Sequence, residues 1–280
     1  MVGDEIPTGG GPAELTAAEL AAAELAAGLR AGYDAAADDW ADGPGPMYAP
    51  LARALVAAAP VPSAGRLVLD LGAGVGVAGQ AALAAGARQV VAVDLSEGML
   101  RRGGPGGRPV AADAVALPFR DGSFDLVVAA FCLNHLGSLG AGLAEARRVG
   151  AAMAASMFAP GWTHPAKDAV DEAIRSFGYQ APAWHTALAP GSRAGDPEVL
   201  ARYAAAAGFT RVQVRTMAVP TGLASPAELV SWRLGMAHVA PFMRSLDAPG
   251  RGAVRRAAEQ AVAAVTAGPL VVSMVVLTAS

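Results

Sequence analysis

Cysteine is almost missing from this 280-residue chain: a single residue, Cys132, excludes an internal disulfide framework and any metal site built from several thiolates. One free thiol fits a reducing compartment. Charge is also scarce, with 16% charged residues and a formal net charge of -3, so there is no basic excess to neutralise phosphates. Nucleic acid and anionic membrane surfaces are thereby excluded as partners, and a small molecule is expected. No apolar run approaches the roughly 20 residues needed to cross a bilayer. The longest late run, Pro269 to Leu277, reads as a buried strand. The N-terminus carries Asp4 and Glu5 where a secretory signal places positive charge, and the expected location is cytoplasmic.

What the chain has in quantity is apolar residues, 54% of the total, enough to bury a large core. Residues 1–12 are rich in Gly and Pro without periodicity and read as a flexible leader, followed by one domain over 13–280. Within it, 13–62 reads as N-terminal helices. The first runs to about Arg30 with Gly28 or Gly32 near its end, a short second one holds Tyr33 and Trp40, and a third covers Tyr48 to Ala59 before Pro60 and Pro62.

Residues 63–160 alternate β-branched runs with Ala/Leu-rich helical runs, the pattern of a mostly parallel sheet covered on both faces. Strands are expected at Arg66–Leu71, Gln89–Asp94, Pro109–Ala112, Phe124–Ala130 and Ala151–Phe158. Two later strands, Arg211–Val219 and Leu270–Thr278, make seven, the last suited to entering antiparallel. The fold class is therefore α/β, a Rossmann-like seven-stranded sheet. Residues 161–208 and 220–268 are left over as helical elaborations, the second marked by Ser225-Pro226-Ala227-Glu228 as a helix start. Such a layer suits a lid that keeps water from an apolar substrate.

The chemistry concentrates after the first strand. Asp70 ends it, and Gly72, Gly74 and Gly76 lead into a helix from about Ala78, so backbone N–H groups and a helix N-terminus face a ligand closely. The dinucleotide pattern G-x-G-x-x-G would need glycine where Val77 stands, and an acid at Asp70 would repel a pyrophosphate. That carboxylate suits the ammonium of an amino-acid ligand and a sulfonium cofactor. Asp94 ends the second strand, where an acid accepts ribose hydroxyls. Asp113 follows the third, with Ala114 beside it as a backbone donor for an adenine edge.

Four segments in order resemble class I S-adenosylmethionine-dependent methyltransferases, nearest to the ubiquinone/menaquinone C-methyltransferase-like group, which includes many small-molecule enzymes of bacterial secondary metabolism. They are Val68–Gly76, Val91–Leu100, Ala112–Phe119 and Ser123–Val128. The resemblance implies S-adenosyl-L-methionine as cofactor and S-adenosyl-L-homocysteine as product. It implies that Asp70, Gly72, Ala73 and Gly74 hold the methionyl part, Asp94 and Leu95 the ribose, Met99 the adenine face, and Asp113 with Ala114 the adenine edge. Tyr33 and Trp40 match aromatic positions that close over the methionine end. Cys132 and Asn134 lie where the cofactor passes the fourth strand. Where the family carries a Leu-(Arg/Lys)-Pro-Gly-Gly turn, this chain runs Arg147-Arg148-Val149-Gly150-Ala151-Ala152, which leaves that rim of the crevice open to a different geometry.

No metal is required for this chemistry. His135 is the candidate general base, since an imidazole titrates near neutral pH, and it could equally cap a helix or bond the backbone. His164, His185 and His238 pair with no carboxylate by spacing, Cys132 reads as a small buried contact, and Asp125 as a support of the sheet. The expected function is methyl transfer to an O, N or C atom of a small, fairly apolar metabolite. A cofactor-assisted cyclisation or pericyclic step without methyl transfer, and a non-catalytic cofactor-binding scaffold, are the competing readings. The N-terminal helix could cover the crevice or form a homodimer contact.

Overall fold

The computed structural model describes residues 17–104, 106–188, 195–265 and 268–280, so the expected leader at 1–12 lies outside the described residues. The chain opens with α1 (Ala17–Asp42) and α2 (Pro44–Ala58). Then come β1 (Leu67–Leu71), α3 (Val77–Ala84), β2 (Gln89–Asp94), α4 (Glu97–Arg102), β3 (Arg108–Ala111) and β4 (Leu126–Ala130). A 3-10 turn at Leu133–His135 leads to α5 (Leu139–Val149) and β5 (Met153–Phe158). The remainder is α6 (Pro165–Ser176), α7 (Ala183–Leu188), α8 (Pro197–Ala206), β6 (Val212–Pro220), α9 (Pro226–Leu234), α10 (Ala240–Ser245), α11 (Ala248–Val265) and β7 (Val271–Ala279).

The seven strands form one sheet in the order β3-β2-β1-β4-β5-β7-β6. The first five in that order pair parallel, and β7 enters antiparallel between β5 and β6. Prolines sit only where the ladder can spare a donor: Pro109 in β3 and Pro220 in β6, the two edge strands. The order turns from β1 to β4 at the point where ligands bind in such sheets, outside the carboxyl ends of the strands.

Side-chain alternation sends each strand's residues to two cores. Val68, Val128 and Ala154 face α2, α3, α6, α9 and α11, where Leu51, Leu55, Ile174, Trp232 and Val262 are buried. Leu69, Val127 and Met153 face α5 and α8, with Leu143 and Leu200. Each fully buried leucine contributes about 1.5–3 kcal/mol. Local chemistry sets the helix starts. His164 accepts from Ala166 N ahead of Pro165, Asp196 accepts from Glu198 N ahead of Pro197, and Ser225 with Glu228 makes a capping box.

The N-terminal helices differ from the expectation. The two expected pieces are one helix, α1, that passes straight through Gly28 and Gly32, and α2 begins at Pro44 rather than Tyr48. The glycines are not ends but a docking surface: a Cβ on Gly28 would lie 2.8 Å from Trp184 Cβ, and one on Gly32 2.8 Å from Trp184 Cζ2. The indole of α7 lies flat on a helix face that only glycine leaves low enough.

The helical elaborations also take a different place. Among the described residues none of 161–208 or 220–268 lines the crevice. Instead α7 and α10 pack on α1, with Ala36, Ala237 and Ala240 buried between them beside Trp184. The wall over the crevice is α1, and the elaborations stand behind it. Among the described residues no helix is long and apolar enough to cross a membrane.

Candidate active site

A crevice of about 310 Å³ lies at the carboxyl ends of β1, β2, β3 and β4 beneath α1. Its floor is the loop Gly72-Ala73-Gly74-Val75, then Asp94, Leu95, Ser96, Met99, Asp113 and Ala114. Gly72 and Gly74 adopt φ of +68° and +54°, a region that costs any residue with a Cβ. At Gly72 a Cβ would also clash with Cys132 Sγ and Cβ, so the Cys132 side chain fills the space the glycine leaves. Burial pushes that thiol well above its ordinary pKa, which makes it a packing group and not a nucleophile.

Asp94 is held by the backbone around it. Oδ2 accepts from Gly74 N at 2.7 Å and Oδ1 from Ser96 N at 2.8 Å. Each carboxylate oxygen has a second lone pair, so both remain able to accept from a diol. Burial raises its pKa against those two bonds, with Asp34 adding a like charge. Asp113 accepts from Val115 N at 3.0 Å, which turns the loop and aims Ala114 into the crevice. Met99 is fully buried beneath, packed with Ala37 and Val75.

Asp70 departs from its expected role. It shares a strand face with Val68, and that face points to α3: Oδ2 accepts from Gly79 N at 2.7 Å, and the residue does not line the crevice. Its other oxygen is buried without a partner, and burial raises its pKa to about 7. Asp70 ties the glycine loop to the first turn of α3 from behind. The period of two along β1 decides this, since Leu69 and Leu71 take the opposite face. Asn134 is likewise absent from the lining, with Oδ1 buried and unpaired in the 3-10 turn.

The other end of the crevice is aromatic and apolar. Trp40 and Tyr48 stack at 5.4 Å, and Tyr48 meets Phe131 edge-on at 5.2 Å. Phe131, just past β4, takes φ +54°, the only positive value at a non-glycine among the described residues. Such strain costs of order 1–3 kcal/mol and collects at functional sites. His135 follows, and its Nε2 lies 3.4 Å from the Tyr33 hydroxyl. Burial, with His185 next in effect, lowers the His135 pKa to about 4, so the ring is neutral at physiological pH. Leu25, Ala26 and Leu29 of α1 complete the wall.

The remaining histidines are structural: His164 caps α6, while His185 and His238 stack at 3.8 Å outside the crevice. Asp125 supports the sheet, accepting from Leu67 N at 2.8 Å. At the altered rim, Arg148 donates to Phe119 O at 2.7 Å and Leu117 O at 3.0 Å and pairs with Glu145, pinning the loop after β3. Neither Asp34 nor Arg148 stands out in the sequence as a site residue, because each acts on a segment remote along the chain.

Residues 69–152 match the family described as "Methyltransferase domain". Demethylmenaquinone methyltransferase of Thermobifida fusca is 45% identical over 93 residues, 30% of this chain and 39% of that protein. The enzyme of the same name from Clavibacter sepedonicus is 46% identical over 103 residues, 35% of this chain and 42% of that protein. The chain thus spans about two fifths of the length of the curated relatives it matches. A crystal structure from Anabaena variabilis, named for a methyltransferase of an antibiotic biosynthesis pathway, superposes with a TM-score of 0.58. It covers 81% of this chain and 96% of that one at 15% identity, a likeness of fold. Over residues 69–152, from within β1 to just before β5, the chain is therefore similar to a methyltransferase domain, and its seven-stranded sheet is a Rossmann-like α/β fold.

Proposed function

We propose that the chain is an S-adenosylmethionine-dependent methyltransferase whose acceptor is a small, fairly apolar metabolite. The observation that carries this is one crevice with two chemically distinct ends. The polar end brings a glycine loop and the carboxylates Asp94 and Asp113 together, and the apolar end brings a neutral imidazole against a phenol. The donor set fits the cofactor: Asp94 for the ribose hydroxyls, Ala114 N–H and Asp113 for the adenine edge, Met99 beneath the ring, and Gly72 to Gly74 alongside the methionyl chain. Bound there, S-adenosylmethionine supplies an already electrophilic methyl group.

The protein's work is then positioning and proton handling. Trp40, Tyr48 and Phe131 hold an apolar acceptor and exclude water. With its proton on Nδ1, His135 leaves Nε2 to accept from the Tyr33 hydroxyl. An acceptor proton passes to the Tyr33 oxygen as the phenolic proton moves to Nε2. The raised pKa of Tyr33, from burial first, keeps it a relay and never a resting anion.

The relatives named for demethylmenaquinone make a reduced naphthoquinone of primary metabolism the first acceptor to assay, ahead of a secondary metabolite. The test is calorimetric titration with S-adenosylhomocysteine, then incubation of cofactor with the naphthoquinol and a panel of phenolic and aliphatic metabolites. Saturable binding, lost about 100-fold in Asp94→Ala, with S-adenosylhomocysteine formed in step with a product heavier by one methylene, supports the reading. An isomerised product with intact cofactor supports the cyclisation alternative, and binding without turnover of any kind supports a scaffold.

A further inference from the structure

One acid of α1 bonds the junction between β2 and α4. Asp34 Oδ1 accepts from Ser96 Oγ at 2.6 Å and from Gly98 N at 2.7 Å, so a side chain of α1 caps α4, 64 residues away in sequence. Ser96 Oγ accepts in turn from Met99 N at 3.1 Å, and Ser96 N donates to Asp94 Oδ1 at 2.8 Å. A continuous line of hydrogen bonds therefore runs from α1 through Ser96 to the carboxylate expected to take the ribose and to the methionine expected under the adenine. Further along the same face, Asp38 and Asp42 reach Arg102 at 3.0 and 3.1 Å. Those pairs are largely exposed and worth little. Asp34 is half-buried and bonds two donors at once.

Gly98 provides independent support. A Cβ there would lie 2.8 Å from Asp34 Oδ1, 2.9 Å from Asp34 Cα and 3.0 Å from Asp34 O. Position 98 is a glycine because the backbone of α1 presses on it. Meanwhile Ala22, Leu25, Ala26, Leu29 and Tyr33 of the same helix wall the crevice, so the seating of α1 shapes the space a ligand would fill.

We propose that Asp34 is a positioning residue that couples the seating of α1 to the cofactor site, so that cofactor affinity and the docked state of α1 reinforce each other. This rests on reading the crevice as the S-adenosylmethionine site. When Asp34 is docked, Ser96 is fixed on both sides, Asp94 is oriented and Met99 is held under the ring. When α1 lifts, Ser96 loses its acceptor and Tyr33 leaves His135. Coupling of this kind is reciprocal: whatever Asp34 adds to cofactor binding, the bound cofactor returns to α1 as protection.

The experiment uses the full chain and S-adenosylhomocysteine as the probe. Calorimetry compares wild type with Asp34→Ala, Gly98→Ala and the surface control Arg101→Ala, and hydrogen exchange follows α1 peptides with and without the probe. The expected result is a tenfold to hundredfold loss of affinity in Asp34→Ala and Gly98→Ala and less than threefold in Arg101→Ala. In wild type the probe slows exchange in α1 at least tenfold, and in Asp34→Ala it does not. Affinity within twofold of wild type in Asp34→Ala, or wild-type α1 exchange unmoved by bound probe, overturns the coupling while leaving the cofactor assignment intact. Failure of wild type to bind the probe overturns the cofactor assignment and the coupling with it. Should Asp34→Ala or Gly98→Ala fail to fold, as thermal melts report, the wild-type exchange result decides.

Discussion

The hydroxyl of Tyr33 lies 3.4 Å from Nε2 of His135, joining a helix that precedes the sheet to the turn after its fourth strand. Neither side chain has another hydrogen-bond partner among the described residues, and Nδ1 of His135 is buried without one. The pair is assembled by the docking of α1, and it sits at the apolar end of the crevice, where the proposed methyl transfer would take place.

Removing the base tests that placement. His135→Gln is expected to lower kcat by about 10²–10⁴-fold for a hydroxyl or acidic-carbon acceptor. Tyr33→Phe is expected to lower it by roughly tenfold or more, with S-adenosylhomocysteine affinity within threefold in the glutamine variant. Steady-state kinetics with parallel calorimetry separates the two effects. A His135→Gln enzyme with unchanged kcat would remove it from the mechanism.

The pH profile carries the sign of the burial effect. The groups facing His135 are Tyr33 from α1 and His185 from α7, and neither adds a negative charge to hold a proton on the ring. With its pKa lowered from 6.5 to about 4, the imidazole is a competent base throughout the neutral range. The acid limb of kcat/KM should therefore have its midpoint nearer 4 than 6.5. A midpoint near 6.5 would mean that the ring is solvated in the working enzyme.

Asp70 makes the opposite contribution to stability. Its folded pKa of about 7 stands above the ordinary 3.8, so between those values the folded state holds more protons than the unfolded one. The Asp70 contribution falls as pH rises from about 4 to 7 and is level above that. Denaturant unfolding of wild type and Asp70→Asn should diverge across this window by a few kcal/mol, because each tenfold difference in proton affinity between the two states is worth about 1.4 kcal/mol. Parallel curves would mean that Oδ1 finds a partner.

Gly32→Ala tests the seat of Trp184. Alanine raises helix propensity by about 1 kcal/mol, yet its Cβ would lie 2.8 Å from Cζ2 of the indole. The clash should win, giving a net loss of about 1 kcal/mol and a shifted tryptophan emission. A stabilised variant with unchanged emission would show that α7 yields without cost.

Much of this molecule is written in local pattern. The β-branched runs mark the central strands because a strand buried on both faces must be apolar throughout. Glycines at 72 and 74 between a strand and a helix permit only a tight ligand-facing turn, and Asp94 and Asp113 at strand ends follow from the same frame. Strand ends come within two residues of expectation, as with Arg108–Ala111 for 109–112.

The sequence by itself therefore determined the sheet and the glycine loop, since these depend on periodicity and on residues close in the chain. Tertiary structure alone decided the rest. It turned Asp70 to the back of the loop through strand alternation and made Gly28 and Gly32 a seat for Trp184. It set α1 over the crevice, where the later helices were expected, and put Asp34 on Ser96 and Tyr33 on His135. Each of those contacts joins segments tens of residues apart, and no local pattern encodes which helix face will meet which strand end.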